Sequence, residues 1–407
     1  MVGAKRVGTV SEGIKISCEN LWKIFGSVPR KVLRGLGEGC RHGVDELSLE
    51  RCIVAVRDVS FSVGEGEVFV VMGLSGSGKS TLLRCLNYLA EPSAGQVRVD
   101  GRPLDAMNRK ELRRLRQERM GMVFQHFALL PYRTVLDNVA FGLEVCGVSK
   151  GRRYGKAREA LELVGLSGWE NRWPRELSGG MQQRVGLARA LALNPEVLLM
   201  DEAFSALDPL IRKQMQDEFL KLVAIVRKTI VFITHDLDEA LKLAHRIAVM
   251  KDGRVIQVGA PEDIVLHPAD DYVAEFVSSV SRAKVVSARS LMVEPDMWIS
   301  AQGEDPVAVL NRMRRDNMDC VFVTDSARKL VGVVSRERLA RRSARNGGGL
   351  MPLAARSFPS ARPDTPLEVL LSTAASTSTP IAVLDEGDHL LGVISHSRLL
   401  KGLSEVV

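Results

Sequence analysis

The chain has 407 residues, 45% of them apolar and 26% charged, which is enough for two or three domains with cores of their own. That balance excludes a mainly disordered, collagen-like or disulfide-dense chain, and the longest apolar runs, 68–74 and 197–200, fall far short of the roughly 20 residues a membrane-spanning helix needs. The net charge of +7 is a modest excess over a large surface and selects no class of partner by itself.

Residues 1–17 carry Lys5 and Arg6 with no apolar stretch behind them, so no signal peptide is expected and the chain is placed in the cytoplasm. Cys18, Cys40, Cys52, Cys85, Cys146 and Cys320 are scattered without a CxxC pair, which predicts reduced thiols rather than disulfides or a metal site. From residue 14 to about 280, short β-rich runs alternate with longer helical patterns, which predicts parallel α/β. The strand candidates are Val68–Met72, 96–100, 120–124, 196–200, Thr229–Thr234 and 246–250. Residues 26–52, rich in Gly and Arg, form an insertion between the first strand candidate and one near 53–56.

Gly73, Leu74, Ser75, Gly76, Ser77, Gly78, Lys79 and Ser80 fit G-x-x-x-x-G-K-[ST], followed by Thr81. The motif leaves a strand candidate and opens a helical pattern over 80–89, the context it requires. Its glycines let backbone N–H groups turn inward around phosphate oxygens, and the helix N-terminus adds partial positive charge. Lys79 is expected to reach the β- and γ-phosphates and Ser80 to bind Mg²⁺. Downstream, the apolar run 197–200 would deliver Asp201 and Glu202 to the same sheet edge. There Asp201 would hold Mg²⁺ through water and Glu202 would polarise the attacking water.

The remainder, about 281–407, contains an internal repeat. Val323, Asp325, Gly332, Val333, Ser335 and Leu339 recur 60 positions later as Val383, Asp385, Gly392, Val393, Ser395 and Leu399. Each copy reads strand, Asp-centred turn, strand, helix, and a repeat of this size implies two copies packed together. Residues 346–349 form a Gly-rich joint between them.

Leu177-Ser-Gly-Gly-Met-Gln-Gln-Arg184 resembles the signature sequence of ABC-transporter ATPases. The rest of that family's pattern follows in order. Gln125 resembles the Q-loop glutamine, which also meets Mg²⁺; Asp208, in Ser205-Ala-Leu-Asp208, the D-loop; His235 the switch histidine; and Phe25 the aromatic that stacks on adenine. The resemblance implies a P-loop ATPase with a parallel-sheet core and a helical subdomain, using ATP and Mg²⁺. Glu202, His235 and Gln125 would be its catalytic residues. It also implies a head-to-tail homodimer in which Ser178, Gly179, Gly180 and Asp208 of one copy complete the site of the other.

The insertion and the tandem repeat together resemble the ATP-binding subunit of glycine betaine/proline importers, the quaternary-amine, osmoprotectant class. The repeat resembles a pair of CBS modules. The domains implied are 1–280 for the ATPase, 281–345 for the first module and 350–407 for the second. The partners implied are integral membrane permease subunits and a separate solute-binding protein, with no nucleic acid. The location implied is peripheral, on the cytoplasmic face of the inner membrane. An amino acid is the alternative cargo. A soluble ABC protein of repair or translation would carry two cassettes or a long coiled coil, and neither is visible. Arg338 and Arg398 stand where many such pairs carry a ribose-binding acid, so a nucleotide phosphate is one candidate ligand of the pair. Anionic lipid, met by the five arginines within 336–345, is the other.

Overall fold

The computed structural model describes residues 13–26, 52–125, 127–205, 207–226, 228–278, 283, 285–294, 298–300, 305–343 and 350–404. They fall into two compact units, Met1–Ser278 and Ser279–Val407. The bulk of the 26–52 insertion, with Cys40, and the 346–349 joint lie outside the described residues.

In the first unit, β1 (Ile14–Gly26) and β2 (Cys52–Gly64) are long and antiparallel, with Phe25 opposite Ile53. β3 (Val68–Met72) follows, then α1 (Lys79–Leu86), β4 (Ala94–Val99), β5 (Arg102–Pro103), α2 (Arg109–Glu118) and β6 (Met120–Val123). The helical stretch is α3 (Val135–Val145), α4 (Lys150–Leu163) and α5 (Gly179–Leu191). The unit closes with β7 (Val197–Asp201), α6 (Pro209–Val226), β8 (Thr229–Thr234), α7 (Leu237–Leu243), β9 (Arg246–Lys251), β10 (Arg254–Gly259), α8 (Pro261–Leu266) and α9 (Asp271–Val277).

Two sheets result. One is antiparallel, in the order β2-β1-β4-β5; the other has the order β10-β9-β3-β8-β7-β6, parallel except for β10. Every residue of β3, β7 and β8 is buried, as expected of parallel strands covered on both faces. The loops that follow β3, β6, β7 and β8 therefore leave one edge of one sheet, the C-terminal edge where α/β proteins bind ligands.

The helical stretch is held by a buried amide. Asn138, with no exposed surface, accepts from Leu130 N–H at 2.7 Å and donates to the carbonyls of Leu130, Arg133 and Thr134 at 3.0–3.1 Å. Several boundaries differ from the sequence expectation. α1 stops at Leu86 because Tyr88 turns to φ 58° and returns its N–H to Cys85. β4 stops at Val99 because Asp100 enters a turn at φ 49°. β7 continues through Asp201, which stays in parallel register with Ile233.

The second unit holds two three-stranded sheets. In each, a short strand runs parallel to the first arm of a hairpin: Trp298–Ser300 with Cys320–Thr324 and Leu330–Ser335, and Ser360–Ala361 with Ile381–Leu384 and Leu390–Ile394. The Asp-centred turns are present. Asp325 Oδ1 accepts from Ala327 and Lys329 N–H, and Asp385 Oδ1 accepts from Gly387 and His389 N–H, all at 2.8–2.9 Å. The lead-in segments cross over: Val293 bridges to Val393 of the second repeat, and Ala355 bridges to Val333 of the first. Of the arginines within 336–345, Arg336 pairs with Asp319 at 2.7 Å.

Candidate functional site

The phosphate loop leaves β3 through two positions that admit only glycine. Gly73 has φ +153° and a Cβ there would collide with the Met250 carbonyl; Gly78 has φ +101° and a Cβ there would collide with the Ala55 carbonyl. Both obstacles are backbone, so neither neighbour can give way. Ser77 is 6% exposed, and its hydroxyl has no hydrogen-bond partner among the described residues. Lys79 is 4% exposed and donates to the carbonyls of Gly73 and Leu74 at 2.8 and 2.9 Å. Burial pushes its pKa down, while Glu202 and Asp201 nearby push it up. A buried cation held by two neutral carbonyls, beside an orphaned hydroxyl and a helix N-terminus, is a site built for an anion.

The Ser80 hydroxyl donates to Asp201 Oδ1 at 2.8 Å. Burial raises the Asp201 pKa, and the hydrogen bond from Ser80 and the nearby Arg84 oppose the rise. This hydroxyl–carboxylate pair supplies the hard oxygen donors that Mg²⁺ prefers, so the residues present fit that ion.

Glu202 follows at φ +43°, uncommon for a residue with a side chain. Its backbone is held on both sides: its N–H donates to Ile233 O at 3.0 Å, and its carbonyl accepts from Ser205 N–H and Oγ at 3.1 and 2.9 Å. The turn aims the carboxylate at two neighbours. Gln125 Nε2 donates to Glu202 Oε2 at 3.1 Å, and His235 Nδ1 lies 3.2 Å from the same oxygen. The loops after β6, β7 and β8 thus meet at one atom.

Phe25 is 45% exposed, with Lys23 Nζ 5.0 Å from its ring centre. Its strand partner Ile53 lies two residues before Ala55, whose carbonyl abuts Gly78, so Phe25 stands on the strand pair that leads to the loop. Beside the loop opens a cleft of about 540 Å³, lined by Val54, Arg57, Gly76, Lys251 and Arg254 among others. Nothing in the sequence marks Lys251 or Arg254, because they stand at the end of β9 and the start of β10 in a stretch without a motif.

Ser178, Gly179, Gly180 and Asp208 do not join this cluster. Ser178 caps α5, its Oγ accepting from Met181 N–H at 3.4 Å. Gly179 faces Phe127 and Leu207, and a Cβ on Gly180 would lie 2.7 Å from Ile211. Asp208 caps α6, accepting from Ile211 N–H at 3.1 Å. Ser178, Gly179 and Asp208 are exposed.

A second feature borders the site. A groove of about 260 Å³ between the sheet and the helical stretch is lined by Leu89, Met122, Phe124, Phe141, Arg189 and Leu193 among others. It lies next to Gln125, and Arg189 closes it by donating to the carbonyls of Ala128 and Phe127 at 2.6 and 3.1 Å.

Comparison with known proteins agrees with this geometry. Residues 56–205 match the ABC transporter family, and residues 288–345 and 353–405 each match the CBS domain. The chain is 47% identical to the glycine betaine/carnitine transport ATP-binding protein GbuA of Listeria monocytogenes, over 96% of this chain and 98% of that one. It is 45% identical to the glycine betaine/proline betaine transport system ATP-binding protein ProV of Escherichia coli, again over 96% and 98%. Among solved structures, the dimeric ATP-binding cassette MJ0796 in a post-hydrolysis state with ADP and Pi superposes with a TM-score of 0.51 at 33% identity, over 60% of this chain and 98% of that one.

Proposed function

This chain belongs to the ATP-binding subunits of ABC transporters, in the glycine betaine class that carries C-terminal CBS domains, and from that membership we infer what each residue does and what is carried. It hydrolyses ATP to drive transport. The observation that carries the assignment of roles is the meeting of Gln125, Glu202 and His235 at one carboxylate oxygen, beside the Lys79 loop and the Ser80–Asp201 pair.

In this reading residues 73–81 cradle the phosphates. Lys79 exchanges its two carbonyl acceptors for β- and γ-phosphate oxygens, and Ser77 offers its unpartnered hydroxyl. Phe25 stacks on the adenine. Ser80, Asp201 and Gln125 would hold Mg²⁺, which when bound neutralises charge between the β- and γ-phosphates. Glu202 takes the proton of the attacking water as the bond from the γ-phosphorus to the ADP oxygen breaks. His235 contacts the γ-phosphate and keeps Glu202 oriented.

The exposed Ser178, Gly179 and Asp208, with the buried Gly180 beside them, serve a second copy of the chain, giving a symmetric homodimer with two composite sites. The MJ0796 cassette, itself dimeric with its products bound, supports this arrangement. The domains are assigned as residues 1–280 for the motor, 281–345 for the first CBS module and 350–407 for the second. The subunit acts as a peripheral protein on the cytoplasmic face of the inner membrane, beside permease subunits and a solute-binding protein. No helix among the described residues is long and apolar enough to cross a membrane. The groove beside Gln125 receives a cytoplasmic helix of the permease.

The cargo is glycine betaine or a related quaternary amine, since both quoted relatives are named for glycine betaine. ATP-dependent uptake of radiolabelled glycine betaine, carnitine, proline betaine, choline and proline into liposomes holding the assembled transporter tests this. Uptake of an amino acid with no quaternary amine transported would overturn the cargo.

A further inference from the structure

Arg212 lies on the first turn of α6, away in sequence from every hydrolytic residue, yet its guanidinium joins two of the segments that carry them. Nη1 stands 3.3 Å from Asp236 Oδ2, on the residue directly after His235. Nη2 donates to the carbonyls of Ser205 and Leu207 at 3.3 and 3.1 Å. Those carbonyls belong to the turn that begins at Glu202 and ends at Asp208, and the Asp208 carbonyl in turn accepts the Arg212 N–H at 2.8 Å.

The linkage continues behind Asp236. Its N–H donates to Thr234 Oγ1 at 3.0 Å, and its Oδ1 accepts from Glu239 N–H at 3.2 Å. The Thr234 hydroxyl donates to one oxygen of Glu239, and Gln216 Nε2 donates to the other at 3.0 Å. Thr234, Gln216 and Glu239 are 2%, 7% and 4% exposed, so this is a closed, buried polar network at the root of the histidine loop. Two of its members, Arg212 and Gln216, sit one turn apart on α6, the helix that Asp208 caps. A planar fork with several fixed donors can serve a carboxylate and two carbonyls together, which a single ammonium cannot.

We propose that Arg212 is a positioning residue for ATP hydrolysis: it ties the His235 loop to the 205–208 segment, so that seating of that segment against a second copy sets the placement of His235 and Glu202. This rests on the homodimer reading above. It explains why the segment that ends at the exposed Asp208 is hydrogen-bonded through one side chain to the residue after the histidine.

The test compares Arg212→Gln, Arg212→Lys, Asp236→Asn and the Arg212→Gln/Asp236→Asn double variant in the assembled transporter in liposomes, with Glu202→Gln as reference. The expected result for Arg212→Gln is a kcat lower by about 10–100-fold, the scale of a misplaced catalytic group, with KM and the ATP dissociation constant within threefold of wild type. Arg212→Lys recovers part of the rate. The double variant is no slower than the slower single one, because both changes cut the same tie. An Arg212→Gln kcat within twofold of wild type overturns the proposal. So do losses that multiply in the double variant, or a rise in KM that follows a falling melting temperature, which mark a merely structural role. If Arg212→Gln does not assemble, Arg212→Lys and Asp236→Asn carry the same comparison. Should Glu202→Gln fail to accumulate an ATP-bound dimer, the homodimer reading falls; should it accumulate one while Arg212→Gln turns over normally, only the Arg212 assignment falls.

Discussion

Replacing Glu202 with Gln removes one charge and one proton acceptor while leaving a side chain of nearly the same shape. The amide oxygen can still accept from Gln125, which addresses Oε2 at 3.1 Å. The turn at φ +43° is held by main-chain bonds to Ile233 and Ser205 and by the Ser205 hydroxyl, none of which involves the Glu202 side chain. Lys79, Ser77, Ser80 and Asp201 are untouched, so affinity for ATP should stay within a few-fold of wild type. What disappears is the capacity to take a proton from water. General-base assistance contributes roughly 10²–10⁴-fold, which at about 1.36 kcal/mol per tenfold raises the barrier by about 2.7–5.4 kcal/mol. Single-turnover hydrolysis by the assembled transporter measures the loss directly, and sizing of the subunit with ATP reports whether the closed dimer accumulates. A rate within twofold of wild type, in a preparation whose Lys79→Ala counterpart is silent, would refute the general-base assignment.

Lys79→Ala should weaken ATP binding by at least tenfold in a fluorescent-nucleotide titration and abolish turnover, since it removes the one buried cation of the loop. Gly73→Ala should lose binding as completely, because the added carbon meets the Met250 carbonyl and the loop must move; binding within threefold of wild type would contradict the geometry. Asp201→Asn should abolish turnover yet stabilise the nucleotide-free chain. Burial holds the Asp201 pKa above 3.8, so the folded state binds more protons than the unfolded one in that window, and stability falls as pH rises through it. The Asn variant should therefore melt higher than wild type at pH 8, with the gap narrowing toward pH 4. Changing Arg341, Arg342 and Arg345 to Gln removes three cations, each worth about 1 kcal/mol near an anionic bilayer, and should lower the salt threshold above which the subunit no longer co-sediments with anionic liposomes. An unchanged threshold removes the lipid role of that stretch.

The parts legible in the sequence were those whose chemistry constrains several neighbouring residues at once. The 73–80 loop needs glycines where the chain passes under Met250 and Ala55, and that requirement is written in consecutive letters. The strand ends that deliver Asp201 and His235 were legible because fully buried parallel strands leave unbroken apolar runs. The Asp-centred turns of the repeat were legible because each aspartate accepts from two backbone N–H groups at fixed offsets. Arg212 and Glu239 were not legible, because their partners lie in separate elements and nothing in a helix marks which polar residue turns inward. The pairing of Arg336 with Asp319 was hidden for the same reason: a run of arginines reads as a free surface until the facing loop is placed. The crossed lead-in segments, Val293 with the second repeat and Ala355 with the first, could not be read from self-similarity, since exchanging the two leaves the repeat pattern unchanged.

A mixing experiment separates a composite site from one complete within a single chain. Within one chain the phosphate loop and Ser178 serve different neighbours: Lys79 and Ser80 engage the loop carbonyls and Asp201, while Ser178 caps its own helix. Ser178→Arg should fold, since the side chain projects from an exposed position and the cost is a helix cap worth about 1 kcal/mol. If each site draws Lys79 from one copy and Ser178 from the other, then Ser178→Arg and Lys79→Ala are each dead as homodimers. Mixed in equal amounts, they assort at random and half of the dimers become heterodimers. In those, one site carries both lesions and the other carries none, so about one quarter of all sites are intact. Carrying Glu202→Gln in both chains lets retained ATP count those sites directly, whether or not turnover requires two of them. Retention of about one nucleotide per four sites fits only exchange between copies. Retention equal to the sum of the two separate variants would mean that the exposed N-terminal end of the signature helix serves the chain it belongs to, and the pairing of two copies would lose its chemical reason.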